Sequence, residues 1–413
     1  MKNGQFAQRY NVNASTIRYY IEKALITPRR ENGQYIFDEL CKKQMERLMR
    51  YKKYKFTLEE IGVLSYYENA TDLKDKAVVD EILRIFHEKE SSIHAEIAEL
   101  EGIIQQLRSE IGAYQEKADD STNGRQEFLP IGALNILCCP ACGKRLVLKD
   151  ADIDETGIIR GALRCECGYH AEIADGIVLC KGSSEETPFK AFENIDSVLA
   201  ITDDFSPAYR NLIDKAHLWM YQWIETNENN FYNVLAGPFA YNFILKHLEA
   251  LPDNALYIIV DVSVKKIRKL QKYFCGSGKS ILYIAGKLGE IPLKQESIDL
   301  YIDDFSSSNY IFTYNKNLFE HITPLMKKGK SLVGQFIDYS MAPKSLENFK
   351  KDHENLTPDL LKLSKMHEAF NREGLKIMEE NNCGSTLGNK KDFARNVVGE
   401  SVSVIAYYAK KDC

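Results

Sequence analysis

The feature that most constrains this chain is a proline-free stretch from about Lys76 to Lys117 with one unbroken apolar rhythm. Ile97, Ile104 and Ile111 recur every seven residues, and so do Leu100, Leu107 and Tyr114, offset by three; upstream, Phe86 and Ile93 keep the second series. Isoleucine and leucine at heptad a and d positions over four heptads form a seam that reads as a coiled-coil dimerisation helix over 76–117, the alternative being an amphipathic helix packed on its own domain. Such a segment divides the chain into a head before it and a body after it.

The head holds the strongest local signals. Asn13 is placed to cap a helix starting at Ala14. In that helix Ile17, Tyr20 and Ile21 face inward, while Ser15, Thr16, Arg18 and Tyr19 face outward. Pro28 ends the helical region, and Asn32-Gly33 between short extended runs predicts a hairpin. Gly4 to Tyr10 predicts a first helix with Phe6, Ala7 and Tyr10 inward. Asp38 predicts a cap for a third helix, with Leu40, Met45, Leu48 and Met49 apolar. Thr57 and Glu60 form a capping box opening a fourth helix through Leu64. An outward Arg and Tyr, followed by a hairpin with Arg29 and Arg30, suit a recognition helix with a basic wing.

Charge supports that reading. The net charge is −5 overall, yet residues 1–55 carry 13 Lys and Arg against 5 Asp and Glu. A basic head on an acidic body is the footprint of a chain that touches phosphates at one end. Lys52, Lys53 and Lys55 are either a solvated face or further phosphate contacts.

The stretch TIRYYIEKALITPRRENGQYIF resembles the DNA-binding domain of the MerR family of bacterial transcription regulators, through Thr16, Arg18, Tyr19, Tyr20, Leu25, Pro28, Arg29, Asn32 and Gly33. Ala24 stands where the family has Gly, and Gln34-Tyr35 where its wing has Tyr-Arg. The resemblance implies a winged helix-turn-helix over 1–72 and a homodimer through the long helix, antiparallel to its partner's copy. It also implies duplex promoter DNA as partner. Arg18, Tyr19, Arg29 and Arg30, with Tyr35 on the wing, would lie at the backbone, and Asn13, Ser15 and Thr16 near base edges. An over-long promoter spacer would be twisted to suit RNA polymerase, an indirect partner, in response to an effector not identified by the sequence.

A polar linker, ADDSTNGR from Ala118, falls within 118–134. Beyond it, 135–182 carries Cys139-Pro-Ala-Cys142-Gly and, 22 residues later, Cys165-Glu-Cys167-Gly. Two thiolates on each of two tight turns suit a structural tetrahedral zinc site. The second pair is Cys-x-Cys, so Cys180 or His170 is an alternative to Cys167. The segment resembles small zinc ribbons preceding some ribosomal RNA methyltransferase domains, through Gly161, Leu163, Cys165, Gly168, Ile173, Asp175, Gly176 and Ile177.

From Phe231, seven apolar runs alternate with helical stretches, which predicts a mostly parallel sheet with helices on both faces and a ligand at the strands' carboxyl ends. The order resembles a class I S-adenosylmethionine-dependent methyltransferase, a Rossmann-like domain over 190–413. That likeness implies S-adenosylmethionine as a cofactor, with Gly237 in the first loop, Asp261 on the ribose hydroxyls and Lys287 where the family has an adenine-reading Asp. Only Gly237 survives of the glycine loop, and DDFSSSNY lacks an Asn-Pro-Pro-Tyr signature. No catalytic residues can be assigned. A helix with His217, Trp219, Met220, Tyr221 and Trp223 is either core or the roof of the pocket.

The fold class expected is therefore multidomain, α and α/β. The function expected is a dimeric DNA-binding regulator whose methyltransferase-like body senses an effector; the alternatives are a methyltransferase acting on nucleic acid or a small molecule, or a zinc or thiol sensor. With no apolar run long enough for a membrane and no export signal in MKNGQFAQRY, the expected location is cytoplasmic.

Overall fold

A computed structural model describes residues 1–70, 74–120, 128–155, 157–185, 206–227, 232–238, 240–352, 355–387 and 397–412. The chain divides into two compact units, Met1–Lys117 and Ala118–Cys413. Most of the expected linker, 121–127, lies outside the described residues, as does the start of the expected body, 190–205.

In the first unit, α1 (Asn3–Arg9) and α2 (Ala14–Glu22) lead into a hairpin of β1 (Arg29–Glu31) and β2 (Gln34–Ile36). The pair register is Arg29 to Ile36, Arg30 to Tyr35 and Glu31 to Gln34, which leaves Asn32 (φ 47°) and Gly33 (φ 79°) as a two-residue turn. Positive φ at both positions is what the Asn-Gly pair supplies. Then come α3 (Glu39–Lys53), α4 (Leu58–Ala70) and α5 (Lys76–Asp120).

Three details depart from the sequence reading. Asn13 sits at the start of α2 with extended backbone, but its side chain makes no capping hydrogen bond. In α3 the buried face is Cys41, Met45, Leu48 and Tyr51, and Leu40 and Met49 face out. Cys41, Met45 and Leu48 follow the i, i+4, i+7 stripe that a core-facing helix needs, whereas Leu40 and Met49 lie off it. The fourth helix continues past Leu64 to Ala70, where Glu68 pairs with Arg47 at 2.7 Å and also accepts from the Tyr51 hydroxyl. The Asp38 cap and the Thr57–Glu60 box form as expected: Cys41 N donates to Asp38 at 3.0 Å, Thr57 N to Glu60 at 2.6 Å, and Glu60 N to Thr57 Oγ1 at 3.2 Å.

The α5 helix has 45 residues, about 67 Å of rod at 1.5 Å per residue. Its first turns are tied to the head: Ile82, Ile85 and Phe86 pack on the core, Lys89 pairs with Glu60 and Lys55 with Glu96. Beyond Glu96 that support ends among the described residues. Ile97, Leu100, Ile104, Leu107, Ile111 and Tyr114 are between 45 and 71% exposed.

The second unit is built on one mixed sheet, eleven strands among the described residues, in the order β12-β13-β11-β10-β7-β8-β9-β6-β5-β4-β3. Its centre is β7 (Asn233–Ala236), β8 (Leu256–Asp261), β9 (Ser280–Ala285), β10 (Ile298–Asp304) and β11 (Met326–Asp338), all mutually parallel; β13 (Ser401–Lys411) is antiparallel between β11 and β12 (Leu375–Leu387). Alternate residues serve two cores. Val234, Ile259, Tyr283 and Ile302 join one with the helices Tyr241–His247 and Val264–Phe274. Leu235, Ile258, Leu282 and Tyr301 join the other, with the helices Phe319–Ile322 and Leu363–Arg372.

The cysteine-rich segment shares the sheet of the body. Its strands β3 (Val147–Ile153), β4 (Ile158–Arg164), β5 (His170–Ala174) and β6 (Ile177–Leu179) continue the same sheet, because β6 pairs in parallel with β9. Leu137 bridges Leu293, which sews the segment to the body at one more point, and Leu129, ahead of the segment, bridges Ile158 within it.

Candidate DNA interface, metal centre and cleft

On α2, Ile17 and Tyr20 go into the core, and the opposite face offers Ser15, Arg18 and Tyr19 exposed with Thr16 half-buried. Asn13 is exposed at the start of the helix. On the hairpin, Arg29 and Arg30 are exposed; the Arg30 guanidinium lies 5.7 Å from the centre of the half-buried Tyr35 ring, which braces it. Arg29 lies 3.8 Å from Asp38, an exposed pair of little strength that leaves the guanidinium available to a phosphate. Of the following lysines, Lys52 donates to the Tyr20 hydroxyl at 3.3 Å and Lys55 pairs with Glu96 at 2.7 Å, while Lys53 is exposed. Every residue expected at the DNA except Thr16 and Tyr35 is thus fully on the surface.

The cysteines converge as two knuckles. Cys139 N donates to Lys144 O and Gly143 N to Cys139 O; Cys165 N donates to Tyr169 O and Gly168 N to Cys165 O. Gly143 (φ 71°) and Gly168 (φ 94°) close both turns in the left-handed region that favours glycine. The sulfurs of Cys139, Cys142, Cys165 and Cys167 all lie within 4.8 Å of one another, with Cys139 to Cys167 and Cys142 to Cys165 at 3.4 Å. Four sulfurs about 2.3 Å from one ion would stand about 3.8 Å apart, so the set fits a tetrahedral metal. The Tyr169 backbone N–H and the Cys139 thiol hold Cys167 down to about 7, while burial raises the Cys139 thiol. Cys180 is elsewhere, buried against Gly286, and burial pushes its thiol up to about 12. His170 is not among the grouped ligands. A bound ion would join the two turns, and with four protein ligands it leaves no open position for chemistry.

The chain steps outward from β7 to β8 to β9, then returns to place β10 on the other side of β7. At that reversal the carboxyl ends of the strands part and leave a cleft. Pro238, Asp261, Gly286, Lys287, Leu288, Ser306, Tyr310 and Tyr314 are on its wall, with Gly237 next to Pro238, so the three residues expected at a cofactor gather there. Lys287 is exposed. Asp261 is buried and engaged: Oδ1 accepts from Ser263 N at 2.9 Å and Oδ2 from Lys266 Nζ at 2.8 Å. A Cβ at position 237 would overlap the Tyr301 hydroxyl and the Ser306 side chain. The free volume is about 30 Å³, room for a couple of waters. As the described side chains stand, the open space is smaller than S-adenosylmethionine.

Beneath the cleft, at the end of β10, lies a buried polar group that sequence reasoning missed. Asp304 pairs with His217 Nε2 at 3.0 Å and accepts from Gln335; Asp303 accepts from Ser307 N at 2.8 Å and from the Tyr407 hydroxyl. Burial raises Asp303 to about 6. The helix Pro207–Thr226 reaches this group through His217. Its Met220 is core, and Trp223 packs on Tyr408 at 4.2 Å. The aromatic helix is therefore packing, with none of its residues on the cleft wall. Nothing in the run DDFSSSNY marks these partners, which lie 87 and 104 residues from their carboxylates.

Fold and surface thus define a class: a winged helix-turn-helix head with a long helix, joined to a doubly wound sheet of methyltransferase-type strand order. Residues 4–37, the first two helices and the hairpin, match the MerR family regulatory protein model. No curated protein matches the chain. Among solved structures, a putative methyltransferase from Bacillus halodurans C-125 is 12% identical, with TM-score 0.34, over 45% of this chain and 94% of its own. The MccD protein is 10% identical, with TM-score 0.38, over 47% and 96%. HiNmlR, a MerR family regulator lacking the sensor domain, bound to promoter DNA, is 21% identical, with TM-score 0.23, over 29% and 92%. Among the described residues, no helix is long and apolar enough to cross a membrane.

Proposed function

We propose that this protein is a dimeric, cytoplasmic transcription regulator that grips duplex promoter DNA with its head and senses an effector with its body. The observation that carries the reading is the exposed face of Ser15, Arg18 and Tyr19 on α2, followed by a hairpin that displays Arg29 and Arg30. Asn13, Ser15 and Thr16 approach base edges; Arg18, Tyr19, Arg29, Arg30 and the wing's Tyr35 hold the backbone. The exposed seam of α5 pairs with its copy in a second chain and sets two heads about one helical turn apart. Deformation of the duplex between them is what RNA polymerase reads. Zinc at Cys139, Cys142, Cys165 and Cys167 holds the ribbon strands in shape. The domain limits proposed are 1–72, 76–117, 118–134, 135–182 and 190–413.

Arg18→Ala tests the recognition helix. Affinity should fall for all sequences alike, and the slope of log K against log salt should shrink by about one. Unchanged affinity and slope would place the DNA surface elsewhere.

A further inference from the structure

We propose that metal held by Cys139, Cys142, Cys165 and Cys167 fixes one wall of the cleft, so that metal loading is an input to the body alongside whatever the cleft binds. The inference rests on the zinc and sensor readings and concerns how the two are joined.

The wall in question is the connection between β9 and β10. Gly286, Lys287 and Leu288 are on the cleft, and the chain then makes one tight turn at Leu288–Glu290 before running through Ile291 to Lys294. Inside this stretch Glu290 N donates to Lys287 O at 2.8 Å and Leu293 N to Ile291 O at 2.9 Å. Outside it, among the described residues, the main chain of 287–294 meets other main chain through two hydrogen bonds. Both go to the stem of the first knuckle: Cys138 N donates to Pro292 O at 3.0 Å, and Lys294 N to Ile136 O at 2.8 Å. That stem is a small hairpin, in which Leu146 N donates to Leu137 O at 3.2 Å and Cys139 N to Lys144 O at 2.7 Å. The wall thus lies as a third run beside the hairpin that carries Cys139 and Cys142.

The second knuckle reaches the start of the same wall. Tyr169 accepts at its carbonyl from Cys165 N, and its hydroxyl is beside the Cys180 thiol. Cys180 N donates to Ala285 O at 2.9 Å, and Cys180 backs Gly286 so closely that its Cβ and Sγ would lie 2.9 and 3.0 Å from an added Cβ.

Little else holds the knuckles themselves. Pro140 to Lys144 and Glu166 to Gly168 are exposed, so apolar burial does not fix these turns. Lys144 pairs with Glu166 across them at 2.8 Å, but both side chains are in water, where such a pair contributes little. Four sulfurs within 4.8 Å of one another repel as thiolates unless a cation lies among them. Ligation by all four ties the two turns into one unit, and with them the contacts that this unit makes on 286–294.

The test is hydrogen–deuterium exchange of the full-length protein, first loaded with zinc as checked by metal analysis, then stripped with a chelator, then reloaded. Stripping should speed exchange at 287–294 by about tenfold or more, together with 136–146 and 165–169, and leave β7, β8 and residues 1–64 within about a factor of two. Reloading with zinc should reverse the change. Cys142→Ser, on an exposed turn, should reproduce the stripped pattern with no chelator present. Loading and stripping that leave 287–294 unchanged overturn this inference and spare the metal site. Equal acceleration of β7 and β8 overturns it as well, since metal would then hold the whole sheet. A protein that neither carries nor takes up zinc overturns the metal reading and this inference together, while DNA binding by the head reports separately on the regulator reading.

Discussion

Single residues in this protein are constrained by backbone shape and by burial more than by sequence pattern. Ala24 has φ 55°, where its N–H donates to Ile21 O at the end of α2. The left-handed region costs a non-glycine residue roughly 1–2 kcal/mol, and glycine's extra chain entropy returns part of that. Ala24→Gly should therefore stabilise the head by about 0.5–1 kcal/mol, read by urea unfolding of the full chain; a loss of stability would refute the strain. Asp303 offers a pH test. Its carboxyl is raised from 3.8 to about 6, first by burial. A raised carboxyl contributes stability that is complete below the unfolded value and is lost as pH climbs through the folded one. Compared with Asp303→Asn, the native protein should thus lose ground between about pH 4 and 6, by up to about 3 kcal/mol, and hold a constant gap above that. His247, held down to about 4 mainly by burial, has the opposite slope nearby and cancels in this comparison. A gap independent of pH would contradict the assignment.

At the scale of elements, much was legible in the sequence. Asn32-Gly33 marked the hairpin, Asp38 and Thr57–Glu60 marked two helix starts, and the heptads marked α5, because each signal is local and its partner lies within a few residues. The seven strands of the body were legible for the same reason. What was hidden depends on contacts far along the chain. Nothing between Ile177 and Leu179 announces that this short strand pairs with Tyr283–Ala285 and merges the ribbon into the sheet. Lys266 could have been suspected, two residues into a helix that follows Asp261, but its burial could not. The seam of α5 makes its own prediction. Leu107 is 54% exposed at the centre of the heptads, so Leu107→Asp should leave the fold of the head intact and shift the dimer to monomer in sedimentation analysis. A charge at that position that leaves the dimer unaffected would place the dimer contact on another surface.

At the scale of the whole molecule, the charge is divided as the parts require: a basic head for phosphates and an acidic body that DNA repels. The two halves make different demands on the sequence. A recognition helix is read from one face of nine residues, whereas the state of a cleft depends on side chains from several strands at once. That is why the head could be read from its residues, while the state of the cleft could not. The most direct test of the central claim is fluorescence anisotropy of labelled duplex DNA with the full-length protein over a series of salt concentrations, at protein concentrations where sedimentation gives the oligomeric state. The expected result is a dimer whose affinity falls steeply as salt rises. A monomer that leaves duplex DNA unbound even at low salt would contradict it.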